Sequence, residues 1–312
     1  MNDVLKLFSA PLQGYTEATW RNIHNRIFGG IDTYYTPFMR VEKGLFRHKD
    51  VRDINPANNS VERLVPQIIG SNPQETKIMI DKLIELGHKQ IDINLGCPFP
   101  LIAGRHKGSG MLPYPDEVKS LIEEVSKYIN CVEFSIKMRL GWKDNTEAIA
   151  LLPYLYTINP IHITLHPRLG FQQYKGVPDM ESFKKFYSTC TAPIIYNGDI
   201  NNIDDINQIA TTYPNLKGIM IGRGLLSNPA LAREYQGGKA ASYDEILLMH
   251  DELLEHYSTS LQGDTQLLTK MKSYWEYFMP DIDKKLKKGI KKSSNMAKYH
   301  AAIQNIKVEC KS

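Results

Sequence analysis

Four cysteines in 312 residues, with no CxxC pair among them, are too few and too scattered for a disulfide framework or a zinc site. Cys97, Cys131, Cys190 and Cys310 fit a reducing compartment instead, so the expected location is the cytoplasm and no metal is expected. No apolar run approaches the roughly 20 residues that span a bilayer, so no membrane partner is expected. The opening Met1-Asn2-Asp3-Val4 lacks the basic and apolar regions of a secretory signal. There is no internal repeat, and no low-complexity tract beyond a lysine run near the C-terminus. No GxGxxG follows the first apolar segment, which weighs against an open doubly wound sheet with a dinucleotide site. What remains is a chain with 42% hydrophobic and 23% charged residues, as in ordinary globular proteins. Its length suits one large domain and a small one.

Short apolar, β-branched segments recur over the first 226 residues: 5–12, 33–41, 64–70, 90–94, 134–139, 161–166, 193–197 and 218–222. Most are separated by a helical pattern. Asn72-Pro73-Gln74-Glu75 starts one helix, with Asn as cap and Pro at the first helical position, and Gly87 stops it. Tyr114-Pro115 and Asn202-Ile203-Asp204 start two more. The segment 42–63 is irregular. Eight strands alternating with helices predict a (β/α)8 TIM barrel, followed by a small all-helical domain. The boundary is placed at Gly237-Gly238, giving domains 1–236 and 237–312. Residues 281–312 carry nine Lys and three acidic residues, a net +6, against −2 for the rest of the chain.

Polar residues cluster where the strands end, as barrel active sites require. Asn197-Gly198-Asp199 and Gly222-Arg223-Gly224 end strands seven and eight. Bare glycine backbone there lets N–H groups approach an anion, and a phosphate site after these strands recurs in barrels. Lys137 and Arg139 share one face of strand five, since alternate residues do. Two inward cations call for an anionic or electron-rich ligand, and structural salt bridges are the bland alternative. A Schiff-base lysine is one reading and a flavin with Lys137 beside its ring is another. His166, on strand six, faces the same pocket. Cys97 lies between Gly96 and Pro98 at the end of the strand 90–94, where proline restricts the backbone. A thiol with its ordinary pKa of about 8.5 is protonated at neutral pH and can act as a general acid. A nucleophilic role needs a partner base, which only His106 folding back would supply.

Ala10-Pro11-Leu12, Gln67-Ile68-Ile69-Gly70, Asn94-Leu95-Gly96-Cys97-Pro98, Lys137-Met138-Arg139, His166-Pro167-Arg168, Tyr196-Asn197-Gly198-Asp199-Ile200 and Gly222-Arg223-Gly224 occur in one order along the chain. That set resembles the tRNA-dihydrouridine synthases. The resemblance implies an FMN-bound barrel whose helical domain helps hold tRNA, with NADPH or NADH as electron donor; a monomer is expected. It implies that Pro11, Leu12, Gln67, Lys137, His166, Asn197, Gly198, Asp199, Gly222 and Arg223 contact FMN. It implies further that Asn94 and Arg139 hold a flipped-out uracil and that Cys97 protonates it. Three positions depart from the family pattern: Leu12 stands for Met, Pro100 for a Lys, and Leu169 for a Thr. The rival expectations are a flavin-dependent enzyme of free pyrimidines, related to dihydroorotate dehydrogenases, and a non-catalytic RNA-binding factor. The lysine-rich tail argues against the first, and the intact set Cys97, Lys137 and His166 against the second.

Overall fold

Pro66 accounts for the one break in the sheet. The computed structural model describes residues 5–310, so the expectation about Met1–Val4 lies outside the described residues. Its main sheet is entirely parallel, with Leu64–Val65 at one end of the hydrogen-bonded order and Gln67–Ile68 at the other. These are halves of one strand. Proline has no N–H to give to a ladder, so the strand turns from one neighbour to the other at Pro66. Leu64–Val65 pairs with Thr33–Tyr35, and Gln67–Ile68 pairs with Gln90–Leu95. Counted this way the sheet is a closed ring of eight: β1 (Lys6–Ser9), β2 (Thr33–Tyr35), β3 (the two halves at Pro66), β4 (Gln90–Leu95), β5 (Glu133–Gly141), β6 (Ile163–Leu169), β7 (Ile194–Asn197) and β8 (Gly218–Ile221). β8 pairs with β1 and closes the barrel. Phe8, Ala10, Tyr35, Val65, Ile195 and Met220 fill part of its interior.

Helices Pro73–Glu85, Pro115–Ser126, Glu147–Leu155, Met180–Thr189 and Ile203–Thr212 follow β3 to β7 in turn. The first starts as its sequence dictates: the Asn72 side chain accepts from the Glu75 N–H at 2.9 Å, and Pro73 opens the helix. It stops at Gly87, whose φ of +84° is open to glycine and strained for most other residues. The irregular segment after β2 folds into a two-strand hairpin, Val41–Glu42 with Leu45–Phe46, and a short helix, His48–Ile54.

The remaining residues form a second compact unit: 19–31, 201–203 and the chain from Arg223 onward. It starts before residue 237 because Gly237-Gly238 is no linker. Gly237 has φ +85°, and the Gly238 N–H donates to the Arg233 carbonyl at 2.9 Å, so the pair finishes the helix Leu231–Tyr235. This unit holds the helices Tyr243–Ser260, Asp264–Tyr274, Lys284–Lys292 and Met296–Glu309. At its centre the Tyr299 hydroxyl joins His250 Nε2 at 2.7 Å and the Trp275 N–H at 2.9 Å. On the helix Lys284–Lys292, Lys284, Lys285, Lys288, Lys291 and Lys292 are exposed, while Lys287 is half-buried. Among the described residues no helix is long and apolar enough to cross a membrane.

Candidate active site

The C-terminal ends of the barrel strands hold nearly all the residues singled out by sequence. Asn94 is the penultimate residue of β4 and does two things at once. Its Oδ1 accepts from the backbone N–H of Gly96 at 3.0 Å and of Cys97 at 2.8 Å, which fixes the turn that carries the thiol. Its Nδ2 donates to Gln67 Oε1 at 2.7 Å. Gln67 Nε2 in turn donates to Asp92 Oδ2 at 2.7 Å, and Ser135 Oγ donates to Asp92 Oδ1 at 2.6 Å. Gln67, Asp92 and Ser135 are fully buried, so each of these polar groups requires its partner.

Cys97 is half-buried and packs against Phe38, Ile69 and Ile102. The loop beyond it folds back onto it. Ser109 donates both its N–H and its hydroxyl to the Cys97 carbonyl, at 3.1 and 2.9 Å. Gly108, with φ +59°, passes so close that a Cβ there would lie 2.8 Å from the Cys97 Cβ and carbonyl oxygen. Burial pushes the thiol pKa up, against the opposing pull of the Phe99 backbone N–H and of Arg139, Lys137 and Arg40. The group is therefore a protonated thiol at neutral pH. His106 is no base for it: its Nδ1 pairs with Glu117 at 2.8 Å and its ring stacks on Tyr114.

Lys137 pairs in register with Asn94 and Arg139 with His166. Arg139 is nearly buried; its Nε donates to the Gly96 carbonyl and its NH1 to the Leu169 carbonyl, both at 3.0 Å, and Tyr174 lies against its guanidinium. Backbone carbonyls thus take two of the guanidinium N–H groups. Burial, with Arg139 nearby, brings the Lys137 pKa down to about 8, while Asp92 and Cys97 favour its charged form. Burial pushes Asp92 up to about 6 in spite of Gln67, Ser135 and Lys137.

On the far side, Arg168 is buried and forks onto the Asp199 carboxylate, with NH1 at 2.8 Å from Oδ1; it also reaches His166 Nε2 at 3.1 Å. The Asp199 side chain is thereby committed within the protein. Asn197 Nδ2 donates to the Met220 carbonyl at 2.7 Å. Gly198 and Gly222 both lack the left-handed backbone that favours glycine. A Cβ at Gly198 would crowd the Tyr196 hydroxyl at 3.1 Å, a packing reason for glycine. At Gly222 it would meet Ala10 and Leu12 only at 3.5 Å or more. Packing leaves Gly222 free of any need to be glycine, and bare backbone for an incoming anion supplies one. Pro11 and Leu12 lie half-buried beside it, with the Leu12 N–H bound to Thr16 Oγ1. Arg223 is the next residue in the chain and belongs to the second unit.

Two residues of this site escaped the sequence reading. Asp92 stands between Ile91 and Ile93 in a buried strand, and its alternation with Asn94 puts it inside the barrel. That charge in an apolar strand was the available signal. Arg40 acts on Cys97 from beyond β2, and no motif marked it.

A family model described as "Dihydrouridine synthase (Dus)" matches residues 8–311. The tRNA-dihydrouridine synthase B of Pasteurella multocida (strain Pm70) is 30% identical over 230 residues, spanning 73% of this chain and 68% of that one. The probable tRNA-dihydrouridine synthase 2 of Bacillus subtilis (strain 168) is 28% identical over 260 residues, spanning 80% and 78%. Among solved structures, the old yellow enzyme from Trypanosoma cruzi covers 76% of this chain and 90% of its own, with a TM-score of 0.53 at 10% identity. That likeness concerns the barrel fold.

Proposed function

The chain belongs to the dihydrouridine synthase family, and from this premise we propose that it reduces the C5=C6 bond of a uridine in tRNA, with Cys97 as general acid. The observation that carries the reading is the barrel mouth itself. A thiol held protonated in a fixed turn and two inward cations stand at the ends of the neighbouring strands β4 and β5, and a bare glycine turn follows β8 in the same ring.

The residues suit FMN. Lys137, half-buried and with a pKa brought down to about 8, would supply a cation to an electron-rich ring. Gly222 presents backbone to a phosphate, with Arg223 next in sequence, and Gln67, His166, Asn197, Gly198, Pro11 and Leu12 lie around the same rim. When bound, FMN would supply the hydride needed at C6, with NADPH or NADH as its electron source. The remaining chemistry belongs to the side chains. Asn94 and Arg139 orient the uracil, which must leave its stack to enter the barrel. Cys97 gives its Sγ proton to C5, so that one proton and one hydride together saturate the bond. The thiolate left behind is favoured by the Phe99 backbone N–H and by Arg139, Lys137 and Arg40, and regains its proton from solvent. Asp199 contributes through its backbone position, since Arg168 holds its carboxylate.

An RNA substrate is supported by the exposed apolar side chains Phe99, Leu101, Phe171 and Tyr174 on the loops after β4 and β6, a surface for unstacked bases. The exposed lysines of Lys284–Lys292 supply charge for RNA phosphates. The test is the cofactor. Protein purified from cells should be yellow, and Cys97→Ala should keep the flavin and its reduction by NADPH while uridine reduction falls by about 10²–10⁴. A colourless protein that takes up no FMN would overturn the reading.

A further inference from the structure

The hydrogen bonds that hold Cys97 run in one compulsory direction. The backbone N–H groups of Gly96 and Cys97 can only donate, so Asn94 must turn its oxygen to them. Its nitrogen then faces Gln67, which must answer with oxygen. The Gln67 nitrogen is left pointing into the barrel and needs an acceptor there. Asp92 is that acceptor, and Ser135 donates to its other oxygen from β5. Lys137 on β5 faces the same carboxylate, and Tyr35 on β2 lies within its field. Asp92 itself is fully buried, and two side chains separate it from the thiol.

We infer that Asp92 is a positioning residue of this site, acting on Cys97 through Gln67 and Asn94 by ending the relay with an acceptor. The inference rests on Cys97 being the proton donor of the proposed reaction. What the relay needs at position 92 is an oxygen that accepts, more than a charge. Burial raises this carboxyl to a pKa of about 6, so at neutral pH it remains an acceptor at both oxygens, for Gln67 and for Ser135. An amide in its place keeps the acceptor toward Gln67 and offers its nitrogen to the Ser135 hydroxyl. A methyl group does neither and strands the Gln67 nitrogen in the interior.

The experiment compares the parent, Asp92→Ala and Asp92→Asn. Amide hydrogen exchange is read on the protein as purified, in peptides covering 94–99 and, as reference, 133–141. In Asp92→Ala, exchange at Gly96 and Cys97 should rise roughly tenfold, the worth of one ordinary hydrogen bond, while 133–141 stays at the parent rate. In Asp92→Asn it should stay near the parent at both. With flavin and tRNA, Asp92→Ala should lose on the order of 10² in kcat, as displacement of a catalytic group by about 1 Å does. Its KM should be nearly unchanged, and Asp92→Asn should recover most of kcat. Unchanged exchange at 96 and 97 in Asp92→Ala would overturn the inference. So would an equal rise at 133–141, the mark of a purely structural role, or an Asp92→Asn as impaired as Asp92→Ala. If Asp92→Ala does not fold, Asp92→Ser carries the same expectation, its hydroxyl being too short to reach Gln67. A parent protein unable to reduce tRNA would defeat the proposed function, while the exchange arm would still decide the relay.

Discussion

Gly108→Ala should disable the site without emptying it. Two costs add at this position. The backbone sits at φ +59°, where an L-residue other than glycine loses about 1–2 kcal/mol. The new methyl carbon would also lie 2.8 Å from the Cys97 Cβ and carbonyl oxygen and 2.9 Å from its nitrogen. Real Cβ atoms do not approach so closely, so the loop or the Cys97 turn must yield, at an overpacking cost of about 1–3 kcal/mol. The sum is roughly 2–5 kcal/mol of stability. It falls on the segment that fixes the thiol, and a displacement of about 1 Å there costs on the order of 10² in kcat. Flavin content should stay near the parent, because Gly222 and Lys137 lie on other strands. The assay pairs calorimetry with single-turnover reduction of tRNA by flavin-loaded protein. Gly87→Ala is the control. Its φ of +84° carries the same backbone cost, but nothing lies within 4 Å of the added carbon, so it should lose stability and keep kcat. A Gly108→Ala enzyme with parental kcat, or one no worse than Gly87→Ala, would refute the argument.

Three further outcomes follow from the same structure. Gly222→Ala should leave the melting temperature within a degree or so, since its Cβ meets only ordinary neighbours, yet lower bound FMN; unchanged flavin content would remove Gly222 from the phosphate site. Replacing Lys284, Lys288, Lys291 and Lys292 with Gln should weaken tRNA binding and reduce its log–log salt slope by up to about 0.9 for each RNA phosphate no longer neutralised, with flavin content unchanged. Stability should fall as pH drops below about 6.5. Burial holds His24 and His162 near 3 and lowers His250, so the unfolded chain takes up protons that the folded one refuses. His24 and His162 each contribute about 1.4 kcal/mol per pH unit, His250 acts in the same direction, and Asp92, raised to about 6, opposes one of them between about pH 6 and 4. A melting temperature flat between about pH 7 and 5 would contradict this balance.

The barrel was legible because its signals are local. Apolar β-branched segments gave all eight strands, and the cap at Asn72-Pro73 and the stop at Gly87 act within a few residues of where they are read. What the sequence concealed depends on partners distant in the chain. Nothing around Asp199 announces that Arg168, 31 residues away, takes its carboxylate. Gly108 shows its purpose only once the loop has folded back onto Cys97. The pair Gly237-Gly238 has the composition of a linker and the geometry of a helix end. Asp92 is intermediate: the alternation that placed Lys137 and Arg139 inside the barrel places it there too, but its partner Gln67 comes from another strand.

Reduction of tRNA by this chain is read by incubating the flavin-loaded protein and NADPH with tRNA lacking dihydrouridine, then digesting the RNA and weighing its nucleosides. The parent protein should yield a uridine heavier by two hydrogens, Cys97→Ala at equal flavin content should form it about 10²–10⁴ times more slowly, and free uridine should not be reduced. Unreduced tRNA with a flavin-loaded, NADPH-oxidising parent, or product at the parental rate from Cys97→Ala, would contradict the proposed reaction.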